Sequence, residues 1–325
     1  MGPPEVESAK RGFGMKSDLT VLGSIGGTPL VELRRLVPPG HARVLVKVEG
    51  QNPTGSMKDR MVASVILRAA DDGRLQPSGT VVEYTGGSTG TSLAFVCAAL
   101  GYPVEIVTSD AFSREKRDHM RALGAEVIEL PSDGGRTTKE LIRRMIAKAG
   151  ELASSPGTFF VDQFNNLDAA AGYRTLAEEI LDQAGAPVAG FVQSVGTAQC
   201  IRGVAQVLRE RSPETRIAAV EPAESAVLSG GEPGTHDIEG VGPGFVPPLW
   251  DGDLVDEVVA VSTPEAQEMT RDLAKKEGLF AGTSSGANVV AALRLAERLG
   301  PGRTVATVLC DSGLKYLSTD LYSSG

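Results

Sequence analysis

Asn52-Pro53-Thr54-Gly55-Ser56-Met57-Lys58-Asp59-Arg60 decides how this chain is read. A turn rich in Pro, Gly and Ser runs into a segment whose apolar residues, Met61, Val62, Val65, Ile66 and Ala69, share one helical face. The spacing predicts a helix from Lys58 to Ala70, with the lysine at its start. Lysine is the side chain that forms a Schiff base with the aldehyde of pyridoxal phosphate, and a helix N-terminus helps to anchor what binds there. Alone, such a lysine is an ordinary solvated residue at a helix start. Its surroundings reverse that reading.

Outward from this stretch, strands and helices alternate. Ala42 to Glu49 alternates apolar and polar residues as a strand does. Strands are expected at Thr80 to Tyr84, Val104 to Val107, Glu126 to Leu130 and Phe159 to Val161, with helices at Thr89 to Leu100 and Ser113 to Leu123 between them. Thr137-Thr138-Lys139-Glu140 reads as a capping box that opens a helix to about Ala149. Helices follow at Asp168 to Gln183, Cys200 to Arg209 and Ser285 to Leu299, and strands at Gly190 to Val195, Arg216 to Glu221, Glu257 to Val261 and Thr304 to Cys310. Thr263-Pro264 reads as an N-cap with proline at the first helical position, the helix running to about Glu277. A repeated β-α order with apolar strands predicts an α/β protein with parallel sheets covered by helices, and the length suits two of them.

The 325 residues, 41% hydrophobic and 22% charged, mark a soluble globular chain of one large or two medium domains, long enough for a substantial core. A net charge of -9, from 32 basic and 41 acidic residues, argues against nucleic acid or an anionic membrane as partner. No apolar stretch is long enough to cross a membrane and no signal peptide is visible, which predicts a cytoplasmic protein. Met1 to about Lys16 is polar and reads as a loosely ordered tail, with Met15 as an alternative start. Cys97, Cys200 and Cys310 are odd in number and far apart, so neither a disulfide framework nor a metal site is expected.

Three further glycine- and serine-rich stretches each follow an apolar segment and open a helix: Thr85-Gly86-Gly87-Ser88-Thr89-Gly90-Thr91, Gly196-Thr197-Ala198-Gln199-Cys200 and Gly282-Thr283-Ser284-Ser285-Gly286-Ala287. Small residues there expose backbone N–H groups, and the helix N-terminus adds positive potential, so each suits an anion. Each also reads simply as a tight turn or a serine cap. Cys200 as a nucleophile finds little support, because none of His41, His119 and His236 has a motif around it.

In their order, these stretches make the chain resemble the cysteine synthase family (O-acetylserine sulfhydrylase and cystathionine β-synthase) of pyridoxal-phosphate enzymes. The resemblance extends to Gly26-Gly27-Thr28-Pro29-Leu30, Asp162-Gln163-Phe164-Asn165-Asn166, Ile238-Glu239-Gly240-Val241-Gly242-Pro243-Gly244-Phe245 and Asp311-Ser312-Gly313 with Tyr316-Leu317-Ser318-Thr319. It covers about residues 25 to 320. It implies the tryptophan-synthase-β-like fold: two three-layer α/β domains with mostly parallel sheets and the cofactor in the cleft between them. The domains would be residues 42–161, carrying Lys58 and the 85–91 loop, and 162–325, carrying the phosphate loop. Residues 1–41 would form a tail and a crossover segment packed on the second domain.

The resemblance also implies the site. Lys58 would hold pyridoxal 5'-phosphate and act as the catalytic base. Thr85, Gly86, Gly87, Thr89 and Gln163 would hold the substrate carboxylate. Ser88, Gly196, Thr197, Ala198, Gln199, Cys200 and Ser284 would hold the cofactor, with Ser284 at the pyridine nitrogen. This chain departs from the family pattern at several of these places. Gly86 stands where serine is usual, Ser88 where asparagine is, Ala198 and Gln199 where two glycines are, and Cys200 where a threonine hydroxyl contacts phosphate. A thiol is the weaker donor.

The implied activity is β-replacement on an O-acetylserine-like donor with sulfide, giving L-cysteine. The alternatives are another nucleophile (cystathionine or diamino acid synthesis), a serine or threonine dehydratase, or a non-catalytic scaffold. The Gly-Val-Gly-Pro-Gly-Phe loop and the Tyr-Leu-Ser-Thr end favour cysteine synthase over dehydratase. The resemblance further implies a homodimer, with a serine acetyltransferase as a conceivable partner.

Overall fold

The computed structural model describes residues 19–135 and 138–322. The expected tail from Met1 to Lys16 and Thr137 of the expected capping box lie outside the described residues. The elements run β1 (Leu30–Glu32), β2 (Arg43–Val48), α1 (Lys58–Asp71), β3 (Thr80–Tyr84), α2 (Ser88–Leu100), β4 (Val104–Ser109) and α3 (Arg114–Ala122). Next come β5 (Glu126–Leu130), α4 (Lys139–Ala153), β6 (Thr158–Phe160), α5 (Asp168–Ala171), α6 (Arg174–Gln183), β7 (Gly190–Ser194) and α7 (Gln199–Arg211). The chain closes with β8 (Arg216–Pro222), β9 (Glu257–Val261), α8 (Thr263–Asp272), α9 (Thr283–Leu299) and β10 (Thr304–Leu309). Two compact units result, one containing Asn52–Gly172, the other Gly27–Gln51 together with the chain from Tyr173 onward.

The first unit is built on a four-stranded parallel sheet in the order β5-β4-β3-β6. Leu141, Met145 and Ala149 of α4 recur every fourth residue and pack on Val82, Tyr84 and Val107 of the sheet. Helix α2 carries no charged residue and is buried from Thr89 to Cys97, as a helix enclosed by its unit must be.

The second unit holds a six-stranded sheet in the order β1-β2-β10-β7-β8-β9, in which only β1 runs antiparallel. Helix α9 lies on it through Ala287, Ala291, Leu295 and Ala296, against Val44, Val192 and Val305. Small side chains let the helix come close. A β-carbon on Gly190 would stand 2.7 Å from Leu295 Cδ2.

Several sequence expectations shift. The strand expected to open the unit of Lys58, β2, instead pairs with β1 and β10 in the second unit's sheet. Val44, Leu45, Val46 and Lys47 of this strand are all buried, so both of its faces are covered. Lys47 is tolerated there because its Nζ reaches Glu179 Oε2 at 2.7 Å and Gln183 Oε1 at 2.9 Å. The helix expected over 168–183 is two helices, broken at Gly172-Tyr173. Gly172 packs so closely on the backbone of α1 that a β-carbon would run into Arg60 O.

Two caps also move. Thr138 caps α4, its hydroxyl accepting from Leu141 N at 3.1 Å. Ser262 rather than Thr263 precedes α8, with Glu265 Oε2 accepting from its N–H and its hydroxyl. The last turn expected of that helix is a π-helical turn over Leu273–Glu277. No helix among the described residues is long and apolar enough to cross a membrane.

Candidate active site

Lys58 is the first residue of α1, and Met57 before it is already helical (φ -59°, ψ -15°). Gly55 takes φ +76°, which lets the turn close with its N–H on Asn52 O at 2.8 Å. Ser56 Oγ accepts the Lys58 N–H at 3.2 Å, satisfying one of the open donors of the helix start. Asp59 is fully buried. Its carboxylate accepts from Thr54 N at 2.8 Å and Thr54 Oγ1 at 2.6 Å. Ser92 Oγ donates to it at 2.6 Å. Asp59 therefore fixes the turn that presents Lys58 and ties that turn to α2, the helix that opens in the 85–91 stretch.

That stretch leaves β3 with Thr85 held between Val107 O and Thr108 Oγ1. Thr85 Oγ1 accepts from Gly87 N at 3.0 Å. Gly87 has φ +148° and ψ -74°, a conformation open to glycine alone. Ser88 and Thr89 form the first turn of α2 rather than loop, so their N–H groups point out of the helix start. Thr89 Oγ1 donates to Gln163 Oε1 at 2.8 Å, and Gln163 Nε2 donates to Tyr84 O at 3.1 Å. The expected carboxylate ligands thus meet around one helix N-terminus.

Glu83 was not anticipated from sequence. Wholly buried, it accepts from Tyr84 N at 2.8 Å and from Gln163 N at 3.0 Å, and so places Gln163 beside the loop. Burial pushes its carboxyl up to about 8, against the two N–H bonds that favour the charged form. The signal for it was present: a lone charged residue inside the apolar strand Thr80–Tyr84.

The second unit carries Gly196–Cys200 and Ser284. Gly196 follows β7 in a place where a β-carbon would run into Gly240 O, and Gly242 N bonds Val195 O at 3.0 Å. The 238–245 loop therefore lies directly against the 196–200 stretch. Ala198 is left-handed (φ +65°) at the N-cap of α7, and Gln199 and Cys200 form that helix's first turn. Holding alanine there costs about 1–2 kcal/mol.

Ser284 lies in the first turn of α9 and is buried. Asp311 and Tyr316 crowd Gly282 just ahead of it, joined by a Tyr316 Oη to Asp311 Oδ2 bond of 2.7 Å. Asn288 in the next turn accepts from Ser194 N at 2.6 Å and donates to Val308 O at 2.8 Å, locking α9 to β7 and β10.

A phosphate-bearing cofactor fits this donor set. Two helix N-termini, a glycine cradle at Gly196 and the buried Ser194 hydroxyl, which has no protein partner, all belong to one unit. No cluster of metal-ligating side chains occurs among the described residues.

Comparisons with known proteins agree on the family. The family model described as pyridoxal-phosphate dependent enzyme matches residues 21–311. A cysteine synthase of Staphylococcus aureus is 43% identical over 301 residues, covering 92% of this chain and 95% of that protein. The crystal structure of an O-ureido-L-serine synthase aligns with a TM-score of 0.87 at 40% identity, over 94% of this chain and 95% of that one. An O-acetylserine dependent cystathionine β-synthase from Helicobacter pylori aligns with the same TM-score at 39% identity, over 95% of this chain and all of that one.

Proposed function

The chain belongs to the pyridoxal-phosphate dependent enzyme family, and on that premise we propose that it catalyses β-replacement, converting an O-acetylserine-like donor and sulfide to L-cysteine and the released acid. The observation that carries this reading is the Lys58 turn, fastened by Asp59 to the same helix whose N-terminus gathers Thr89 and Gln163.

When bound, pyridoxal phosphate supplies the sink for the electron pair left on the substrate's α-carbon. Lys58 would hold the cofactor at its aldehyde, and its amine, when free, would take the substrate's α-proton and later return it. Thr85, Gly86, Gly87 and Thr89 would surround the substrate carboxylate, with the Thr85 hydroxyl and the Gly86 and Thr89 N–H groups as donors, and Gln163 would add its amide. Ser88 contacts the cofactor ring. Gly196, Thr197, Ala198, Gln199 and Cys200 hold the phosphate through backbone N–H groups at the start of α7. Ser284 would face the pyridine nitrogen with a hydroxyl rather than a carboxylate, which would favour an unprotonated nitrogen. The weaker sink suits loss of a β-substituent over transamination. Over the full reaction the Cβ–O bond of the donor breaks and a Cβ–S bond forms.

The departure at Gly86 and the named activities of the two structural relatives support a second reading, β-replacement with another donor or nucleophile. Product analysis with O-acetyl-L-serine against sulfide, homocysteine and an amine separates the two. Sulfide is expected to give the highest kcat/KM. A higher value for another nucleophile replaces the cysteine assignment, and release of pyruvate without any nucleophile points to a dehydratase. The same proposal includes a cytoplasmic homodimer open to a serine acetyltransferase partner, on the strength of the family resemblance. Sedimentation at twice the chain mass would agree with the dimer, and a monomer would remove it.

A further inference from the structure

Three residues spaced by four, Phe112, Lys116 and Met120, stand over three glycines of the 85–91 stretch. Phe112 precedes α3 and the other two lie on it. A β-carbon on Gly87 would run into the Lys116 side chain, and one on Gly90 would sit 2.7 Å from Met120 Sδ and 2.8 Å from Thr85 Cγ2. Gly87 is also bound to its glycine by a positive φ. Gly86 is different. Its φ lies outside the left-handed region, so its backbone suits any residue. The nearest obstacle to a side chain is Phe112, whose Cε1, Cδ1 and Cζ would lie 2.8, 3.0 and 3.2 Å from a β-carbon there.

Residues 86 and 112 are therefore alternative fillers of one volume. A hydroxyl-bearing side chain can enter it from the loop, or an aromatic edge from the segment before α3, but not both. The ring is partly buried and packed on one side. Phe112 packs on the Val82, Tyr84 and Val107 cluster, and Tyr84 in turn stacks with Phe164, next to Gln163, at a ring separation of 6.4 Å.

We propose that Phe112 is a specificity-determining residue that sets which amino-acid donor the 85–91 loop accepts. The inference rests on the carboxylate-holding role proposed for that loop. The ring removes a hydroxyl donor from the loop and puts apolar surface in its place. Apolar surface solvates added negative charge poorly, so the pair selects donors whose β-substituent is uncharged before it leaves, such as an O-acyl ester, over dianionic O-phosphoserine.

The test is a cycle of wild type, Gly86→Ser, Phe112→Ala and the double variant, loaded with pyridoxal phosphate and assayed well below their melting midpoints. KM and kcat are read for O-acetyl-L-serine and for O-phospho-L-serine. Gly86→Ser alone is expected to raise KM for O-acetyl-L-serine about tenfold or more by overpacking the loop. The double variant should bring KM back to within about threefold of wild type, with kcat changed less than KM throughout. The preference for the acetyl over the phospho donor should fall by about tenfold in the double variant, which restores a hydroxyl and removes the ring.

Single-variant effects that simply multiply in the double, or a donor preference unchanged across the cycle, would overturn the proposal. If wild type turns over neither serine ester, the cysteine-forming reading fails instead. The cycle is then run on whichever donor is consumed, where the same coupling between residues 86 and 112 is expected.

Discussion

Asp59 accepts three hydrogen bonds in a fully buried place beside Lys58. Asparagine there would keep the shape but turn two N–H groups toward groups that donate. Asp59→Asn should cost about 2–3 kcal/mol, read as a lower urea midpoint. Equal midpoints would mean that the turn stands without its carboxylate. Glu83 is another buried acid of this unit. Folding raises its carboxyl from the ordinary 4.5 to about 8, mainly by burial and slightly by the neighbouring charge of Asp162. Between those values the folded chain holds a proton that the unfolded chain releases. Its contribution to stability is therefore fully present below about pH 4.5 and is lost as pH rises through about 8. In Glu83→Gln, which cannot titrate, the melting midpoint should fall less between about pH 5 and 8 than in wild type. Parallel profiles would contradict the raised carboxyl.

The elements themselves were largely legible, because apolar periodicity and small-residue punctuation survive in short windows. The starts of helices were less so. Helices α2, α7 and α9 begin at Ser88, Gln199 and Thr283, one or two residues inside stretches that read as loop. Glycine and serine have low helix propensity, and what holds them helical is their packing. Gly282 under Tyr316 and Gly90 under Met120 are contacts from residues distant in sequence. Ala198 at the entry to α7 is the exception, a left-handed residue without glycine's freedom. Ala198→Gly should raise stability by about 0.5–1 kcal/mol, measured as a higher melting midpoint, because relief of the strained φ exceeds the added freedom of the unfolded chain. A lower midpoint would mean that the alanine methyl makes compensating contacts.

At the scale of the whole molecule, motif order led to the α/β architecture and to the family, while the partner of β2 stayed hidden. Arg43–Val48 lies a few residues before Lys58 in sequence, yet pairs in register with Thr304–Leu309 at the far end of the chain. Such pairing depends on a strand buried on both faces, and the only local sign was a lysine, Lys47, in a run of valines and leucine. Lys47 is buried while its partner Glu179 stays partly exposed, and that pair, with Lys47 also donating to Thr28 O, is what makes the placement tolerable. Lys47→Ala should lower the unfolding free energy by about 2 kcal/mol in denaturant titration, since it empties a buried site and takes the cation from Glu179 and Thr28 O, which keep Gly27 N and Gln183 Nε2 as donors. A change within about 0.5 kcal/mol would show the strand to be held by its ladder and apolar packing alone. The site-level account stands or falls with Lys58. Borohydride reduction of the pyridoxal-phosphate-loaded protein, followed by proteolysis and mass spectrometry, should find the pyridoxyl group on Lys58. The group on any other lysine, or on none, would contradict it.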